Sequence, residues 1–350
     1  MSVQRRSLLG VPGLLRPIMV GLTVVFATVG SCQADDDRID TVRVREVVGR
    51  SVPLLQASAA TYIEKKACFS CHHQGLLAVA VARARRAGFE IDRSRTVQQS
   101  AFTLKYFGGR AKRVRIGQGV PGGAYNAGYA LWGLHEAGDK PDSVTGDLVA
   151  YLRTTHRDDG SWQIRTHRPP LEDSDFTATA LGLQGLQLYS GKDQAKDLAA
   201  RIVRAREWLL TAEAKTNEDR VFRLMGLVWA GGGAKETKRL TDELVGHQRD
   251  DGGWAQLAGR ESDSYATGQA LVALKMAGVS VGHRSYQEGC RFLLKTVKPD
   301  GSWLVTTRSK PIQTYFESGF PYKKSQFISI CGTCWATLAL VELIPVATAD

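Results

Sequence analysis

The sequence predicts an all-α protein in which six helical hairpins close into a ring, an (α/α)6 barrel, over residues 54 to 344. Three observations carry this expectation. A loop signature recurs, because Thr155 to Trp162 (THRDDGSW), Gly246 to Trp254 (GHQRDDGGW) and Thr296 to Trp303 (TVKPDGSW) share an Asp-Gly-x-Trp core, and such internal repetition is the first thing to look for in a chain. Helical runs alternate in character: charged segments such as DLVAYLR or GCRFLLK are followed by runs rich in Ala, Gly and Leu, such as TATALGLQGLQL, ATGQALVALKMAG and CWATLALVEL. The apolar runs fit tightly packed inner helices and the charged ones an outer ring. Glycines 88, 138, 191, 232 and 278 follow the inner runs, where a left-handed C-terminal cap is expected.

Each element follows in order. Residues 1 to 34 carry Arg5, Arg6 and Arg16, an apolar stretch from Ile18 to Val29 and small residues before a run of aspartates, which reads as an export signal. Two processing routes fit. Val29-Gly30-Ser31-Cys32 resembles a lipobox that would tether the protein to the membrane through acylated Cys32, and cleavage after Ala34 would release it into the periplasm. Gln4 to Leu9 also resembles a twin-arginine signal. Residues 35 to 53 read as a linker and 345 to 350 as a tail.

The first hairpin ends in the run Cys71 to Gly88, the second in Gly122 to Gly138, and the third, fifth and sixth carry the Asp-Gly-x-Trp loops. Those tryptophans stand 92 and 49 residues apart, so a degenerate unit belongs in the longer gap, and residues 200 to 231 supply its two helices without the loop. A closed ring of six pairs needs no polar capping repeat.

Loss of residues 1 to 34 lowers the formal charge from +11 to +8, through Arg5, Arg6 and Arg16. The remaining cations are scattered among acids and no basic tract is interleaved with aromatics, which argues against a nucleic-acid partner. An apolar small molecule held in the central cavity, or a redox partner, fits better.

Gln248-Arg249-Asp250-Asp251-Gly252-Gly253-Trp254 matches the Q-x-x-x-G-x-W repeat, and by it the chain resembles the squalene-hopene and oxidosqualene cyclases and, in fold, the protein prenyltransferases. His156 and Val297 replace the Gln in the other two copies. The motif is read as structural: Gly turns the loop, the Gln amide satisfies helix-end groups and Trp covers the joint. The resemblance implies an α/α barrel, although those cyclases usually pair two barrels. Their acid motif D-x-D-D-T-A implies Asp175 as general acid beside Asp173, in Asp173-Ser174-Asp175-Phe176-Thr177-Ala178. Phe176 replaces the third carboxylate. The competing reading is that Asp173, Ser174 and Asp175 cap an inner helix, as Asp263 and Ser264 would in the fifth hairpin.

Cys68-Phe69-Ser70-Cys71-His72 is C-x-x-C-H, the attachment signature of haem c, with both thiols bonded to the vinyl groups and His72 on the iron. This points to an exported barrel acting in electron transfer or haem-dependent chemistry. Alternatives are a terpenoid cyclase using Asp175, or a binding module in which loops and caps carry only structure. Met225, Met276, His135, His156, His167, His247 and His283 are candidates for a second iron ligand. If the inner helices share one direction, Cys331-Gly332-Thr333-Cys334 opens the last of them beside the first. Cys68, Cys71, His73, Cys331 and Cys334 could then hold zinc, and prenyltransferases bind a catalytic zinc at their barrel mouth. Cys290 falls on an outer-helix pattern and reads as a buried small hydrophobe. Tyr125, Asn126, Tyr265 and Trp335 are expected at the inner-helix ends.

Overall fold

The computed structural model describes residues 39–311 and 313–345. The expected export signal, Cys32 and the tail from 346 lie outside the described residues. Among the described residues no helix is long and apolar enough to cross a membrane.

Among the described residues, thirteen α-helices form six hairpins. The outer members are α1 (Thr41–Lys65), α3 (Arg93–Gly108), α6 (Ser143–Thr155), α8 (Ala195–Thr211), α10 (Ala234–Gly246) and α12 (Arg284–Thr296). The inner members are α2 (Leu76–Arg86), α5 (Gly123–Ala137), α7 (Asp175–Tyr189), α9 (Asn217–Trp229), α11 (Ser264–Met276) and α13 (Gln326–Val341), with the single-turn α4 (Ala111–Val114) between α3 and α5. Each inner helix packs on the next, and α13 packs on both α11 and α2, so the ring closes.

One boundary differs from the sequence reading. Helix α1 begins at Thr41, inside the stretch read as a linker, because Val44, Val47, Val48, Ser51, Val52 and Leu55 make a buried stripe at helical spacing. Asp40 caps it by accepting from Val42 N. Among the expected glycine caps, Gly88, Gly138 and Gly278 are left-handed, at φ 85°, 98° and 89°. Gly191 is extended, and after α9 the left-handed residue is Gly231 instead of Gly232.

The repeated loops form the joints between hairpins. Trp162, Trp254 and Trp303 are fully buried, and each indole Nε1 donates to the carbonyl ten residues upstream: Leu152 at 2.9 Å, Leu244 at 2.8 Å and Leu293 at 2.8 Å. Each Trp backbone N–H donates to a threonine of the following inner helix, Thr179, Thr267 or Thr333. Asp159, Asp251 and Asp300 each accept from the N–H two residues on, which sets the turn. Gln248 donates to the carbonyls of Gly252 and of Ser285 on α12, both at 2.8 Å, so it ties the loop to the next hairpin. His156 bonds the Gly160 carbonyl at 3.0 Å and stacks on Trp162. In the third copy Ser51 of α1 takes the part of the missing Gln by donating to the Gly301 carbonyl at 2.6 Å, and this bond helps to close the ring.

Glycine is required in these loops for two reasons at once. Gly252 has φ 83°, and a Cβ there would stand 2.6 Å from the Glu288 carbonyl oxygen of α12. Gly278 has φ 89° but nothing within 4 Å of its Cβ position. Gly252→Ala is therefore expected to cost about 2 to 4 kcal/mol, from left-handed strain plus overpacking. Gly278→Ala should cost about 1 kcal/mol, from strain alone. Urea unfolding of the two variants checks this, and equal losses would remove the packing argument.

Candidate active site in the barrel lumen

The inner helices start at one end of the ring. Ser174 at the start of α7 donates to Asp219 in the first turn of α9 at 2.6 Å, and Asn217 N of α9 bonds the Gln256 carbonyl just before α11. Gln256 in turn joins Asp263, the N-cap of α11, to Arg308. Ser58 on α1 contacts His73 before α2 and Ser318 before α13. The shared direction expected from the hairpin pattern therefore holds.

Below this mouth the lumen is filled with aromatic rings. Trp132 on α5 lies 5.6 Å from Trp229 on α9 and 6.3 Å from Trp335 on α13, and Phe222 on α9 lies 6.2 Å from Trp335. Helices α5, α9 and α13 alternate around the ring, so these contacts run across its centre. Trp335 is thus not at the mouth as expected, but nine residues into α13, about 14 Å down at the helical rise. Tyr125, Asn126 and Tyr265 do stand in the first turns of their helices.

Between the mouth and the rings sits Glu218. It is the second residue of α9, 5% exposed, and its carboxyl accepts from Thr177 Oγ1 (3.0 Å), Tyr265 Oη (2.9 Å) and Gln269 Nε2 (2.9 Å). Burial raises its pKa to about 8 in spite of these three donors. Burial therefore favours the protonated form of this carboxyl. The adjacent Asp219 faces the backbone instead, accepting from Lys215 N and Thr216 N and completing a capping box with Thr216.

Sequence reasoning missed Glu218. Thr216 to Asp219 reads as an ordinary helix start, where an acid near the N-terminus is favoured by the helix dipole. Nothing local shows that this acid turns inward.

The residues expected to supply the acid lie elsewhere. Ser174 is the N-cap of α7, accepting from Phe176 N and Thr177 N, so the capping reading applies to the serine of the Asp-Ser-Asp run. Asp175 is half-buried, accepts from Ile164 N at 2.7 Å, and lines an open cleft of about 430 Å³ with Asp173, Phe176 and Trp208 on the α8 side. Asp173 pairs there with His167. Phe176, in place of a third carboxylate, packs on Trp208 at 4.8 Å. As first residue of α7, Asp175 points to the outer helix and not into the lumen.

The cysteines divide. Cys71 is buried and its thiol is pushed up to about 12, by burial first and then by Glu172. The buried Cys331 thiol is also raised, by burial first and then by the nearby Cys71, across the junction of first and last hairpins. Helix α13 opens at Gln326, however, and Cys331 is in its second turn. Cys68 is partly exposed and hydrogen-bonds Tyr62 Oη at 3.3 Å, whereas Cys334 is buried deeper along α13. His73 is occupied by Ser58 and stacks on Tyr62 at 4.7 Å. Among the described residues no three His, Cys, Asp or Glu side chains are grouped to hold a metal ion. The expected zinc set of Cys68, Cys71, His73, Cys331 and Cys334 is therefore not assembled, because its members face different neighbours. Cys290 is a fully buried thiol on α12, as expected.

No protein-family model matches the chain, and no curated sequence matches it. Solved structures do. MstE from Scytonema, a type II terpene cyclase, is similar in its apo form at 14% identity and TM-score 0.55, over 86% of this chain and 98% of that one. The fold is that of the α/α toroids. A variant of MstE in complex with geranylgeranyl dihydroxybenzoate is similar at 12% identity and TM-score 0.54, over 86% of this chain and 99% of that one. A glycosidase variant in complex with glucose is similar at 12% identity and TM-score 0.55, over 88% and 100% of the two chains. This chain thus spans nearly the whole length of the MstE chain. At these identities the likeness is one of fold.

Proposed function

We propose that the protein is a terpenoid-cyclase-like enzyme that isomerises an apolar polyene by protonation, with Glu218 as the general acid. The observation that carries this reading is a buried carboxyl, bonded by Thr177, Tyr265 and Gln269, in a lumen walled by aromatic side chains. Protonation of an olefin needs an acid that keeps its proton until a substrate excludes water, and burial provides that. Transfer of the Glu218 proton to a terminal alkene carbon leaves a carboxylate, which Tyr265, Gln269 and Thr177 are already placed to stabilise. The faces of Tyr129, Trp132, Phe222 and Trp335 stabilise the migrating cation, an interaction worth about 2 kcal/mol or more per ring when desolvated. Loss of a proton from the last cation returns it and completes an isomerisation.

The likeness to MstE supports a polyisoprenoid substrate, and an aromatic lumen suits a polyene better than a sugar. Substrate would enter at the mouth, where Arg308 bonds Gln256. The experiment is incubation with linear polyenes from farnesyl to squalene length, including geranylgeranyl-substituted phenols, followed by mass-spectrometric product analysis. Glu218→Gln is expected to lower turnover by about 10² to 10⁴-fold. Asp175→Asn is expected to leave it within about twofold, since that carboxylate lies outside the lumen. An active Glu218→Gln enzyme, or no cyclised product from any of these polyenes, would overturn the proposal.

A further inference from the structure

We propose that Cys68, Cys71 and His72 form the attachment site of a covalent haem in which His72 is the one iron ligand among the described residues. The spacing alone suggests attachment, and the local structure adds which nitrogen is free. Cys71 to Gly75 form a single π-helical turn that leads into α2. Ser70 precedes it in an extended conformation, and its hydroxyl accepts from His73 N at 3.1 Å and bonds His72 Nδ1 at 2.8 Å. His72 Nδ1 also faces His73 Nδ1. Nδ1 is thereby occupied, and Nε2 has no hydrogen-bond partner among the described residues, the arrangement in which a neighbour orients the ring and leaves the other nitrogen for a metal.

The surroundings suit a flat aromatic group. Cys68 and His72 are partly exposed at the rim. Tyr62, Phe316 and Phe327 form a wall beside them, with Phe327 5.3 Å and Tyr62 5.9 Å from the His72 ring, and Phe316 within 5.7 Å of both. Lys66 stands 4.3 Å over Phe316 and Arg168 lies near His72, two cations suited to propionate groups. Cys71 is buried beside the first turn of α2 and feels the charges of Glu172 and Arg168. Each thiol S–H adds across one vinyl C=C of the haem: a C–S bond forms at one carbon, the hydrogen goes to the other, and nothing is lost or oxidised.

The second ligand expected from the sequence is not supplied. The ring contacts of His72 are Tyr62, His73 and Phe327. His73 follows it directly in the chain and is turned to Ser58. Of the candidates, His156 is bonded to Gly160, His167 to Asp173, and His283 caps α12, while His135 packs on Tyr189 and Met225 is buried in α9. Met276 is the last residue of α11, at the end of the ring away from the mouth, and His247 is the C-cap of outer helix α10. With haem bound, one iron position would be left without a ligand from the described residues, a position that would suit a small diatomic molecule.

The test is the full chain co-expressed with a bacterial haem c maturation system, with a known c-type cytochrome loaded in parallel. One haem per chain should resist acid-acetone extraction, and the ferrous protein should be high-spin and take up one equivalent of carbon monoxide. Cys68→Ala should keep one thioether, with the pyridine-haemochrome band moved to the red, and Cys68→Ala with Cys71→Ala should lose covalent haem altogether. Because buried Cys71 bears on folding, Cys68→Ala at unchanged helicity is the deciding variant. His73→Ala should retain haem and carbon monoxide binding, whereas His72→Ala should lose the axial imidazole. Colourless protein beside a loaded control overturns the attachment, and a low-spin spectrum indifferent to carbon monoxide overturns the single-ligand assignment. Neither result depends on Glu218 or on any polyene.

Discussion

Glu218→Gln is expected to stabilise the protein at pH 9 and to leave it nearly unchanged at pH 4.5. The folded carboxyl is held at about 8 against an ordinary 4.5, by burial first. Between these values the folded state keeps a proton that the unfolded chain has released, so raising the pH favours unfolding. The contribution is whole below about 4.5 and gone above about 8. The difference is on the order of 3 to 5 kcal/mol. Gln is neutral and similar in shape, and its oxygen can still accept from Tyr265 and Gln269 while its amide faces Thr177. The variant should therefore lose most of this slope.

Asp263, raised to about 6 by burial, adds a decline in the same direction between 3.8 and 6, and keeps it in the variant. His72, His73 and His156 act oppositely. Burial holds all three below the usual 6.5, His72 at about 3 and His156 at about 4, so their neutral folded forms lose stability as the pH falls below 6.5. Stability should peak near pH 6. Urea midpoints from pH 4 to 9 measure both effects, and parallel curves for wild type and Glu218→Gln would show that the lumen does not hold a proton on this residue.

Trp254→Ala should cost about 3 to 5 kcal/mol, the range for deleting a large buried aromatic side chain. The indole is fully buried, holds the Leu244 carbonyl at the end of α10, and packs against Gly289 of the next outer helix. Trp254→Phe keeps part of the packing and forfeits the Nε1 bond, so about 1 to 3 kcal/mol is expected. The closed ring adds a qualitative expectation. Every hairpin has two neighbours, so the loss should shift one cooperative transition and not unfold one end of an array. A midpoint shift below about 1 kcal/mol in the alanine variant would mean that the joint is held by the backbone alone.

The two predictions separate what local sequence encodes from what it does not. The tryptophan joints were legible because their parts lie within about ten residues: an aspartate that sets a turn, a glycine with positive φ and an indole that reaches back to the helix just ended. Even the imperfect copies kept their function, with His156 bonding the loop carbonyl that Gln248 holds in the complete one. The hairpin count and common helix direction followed from the same periodicity. So did the packing of α13 on α2, since closure makes the first and sixth hairpins neighbours.

The buried carboxyl of Glu218 was not legible, and the run that resembles a cyclase acid motif stands on another face. Asp173-Ser174-Asp175 looks like the cyclase acid run, yet the start of α7 turns Asp175 toward Trp208 and the loop at Ile164. Glu218 looks like any acid at a helix start, yet it is buried. The linker read over 35 to 53 failed for a related reason, since the valines of α1 are apolar to a purpose only where the rest of the ring lies against them.

By itself the sequence determined an all-helical chain, its six hairpins, their joints and a rim turn carrying two thiols and two imidazoles. Only the tertiary structure decided which carboxyl is desolvated, which rings meet across the centre and which imidazole nitrogen stays free. Turns and helix periods are set by neighbours along the chain, whereas the proton affinity of Glu218 is set by burial in a lumen whose walls, Thr177, Tyr265 and Gln269 among them, lie 41 to 51 residues away and arrive only when the ring closes.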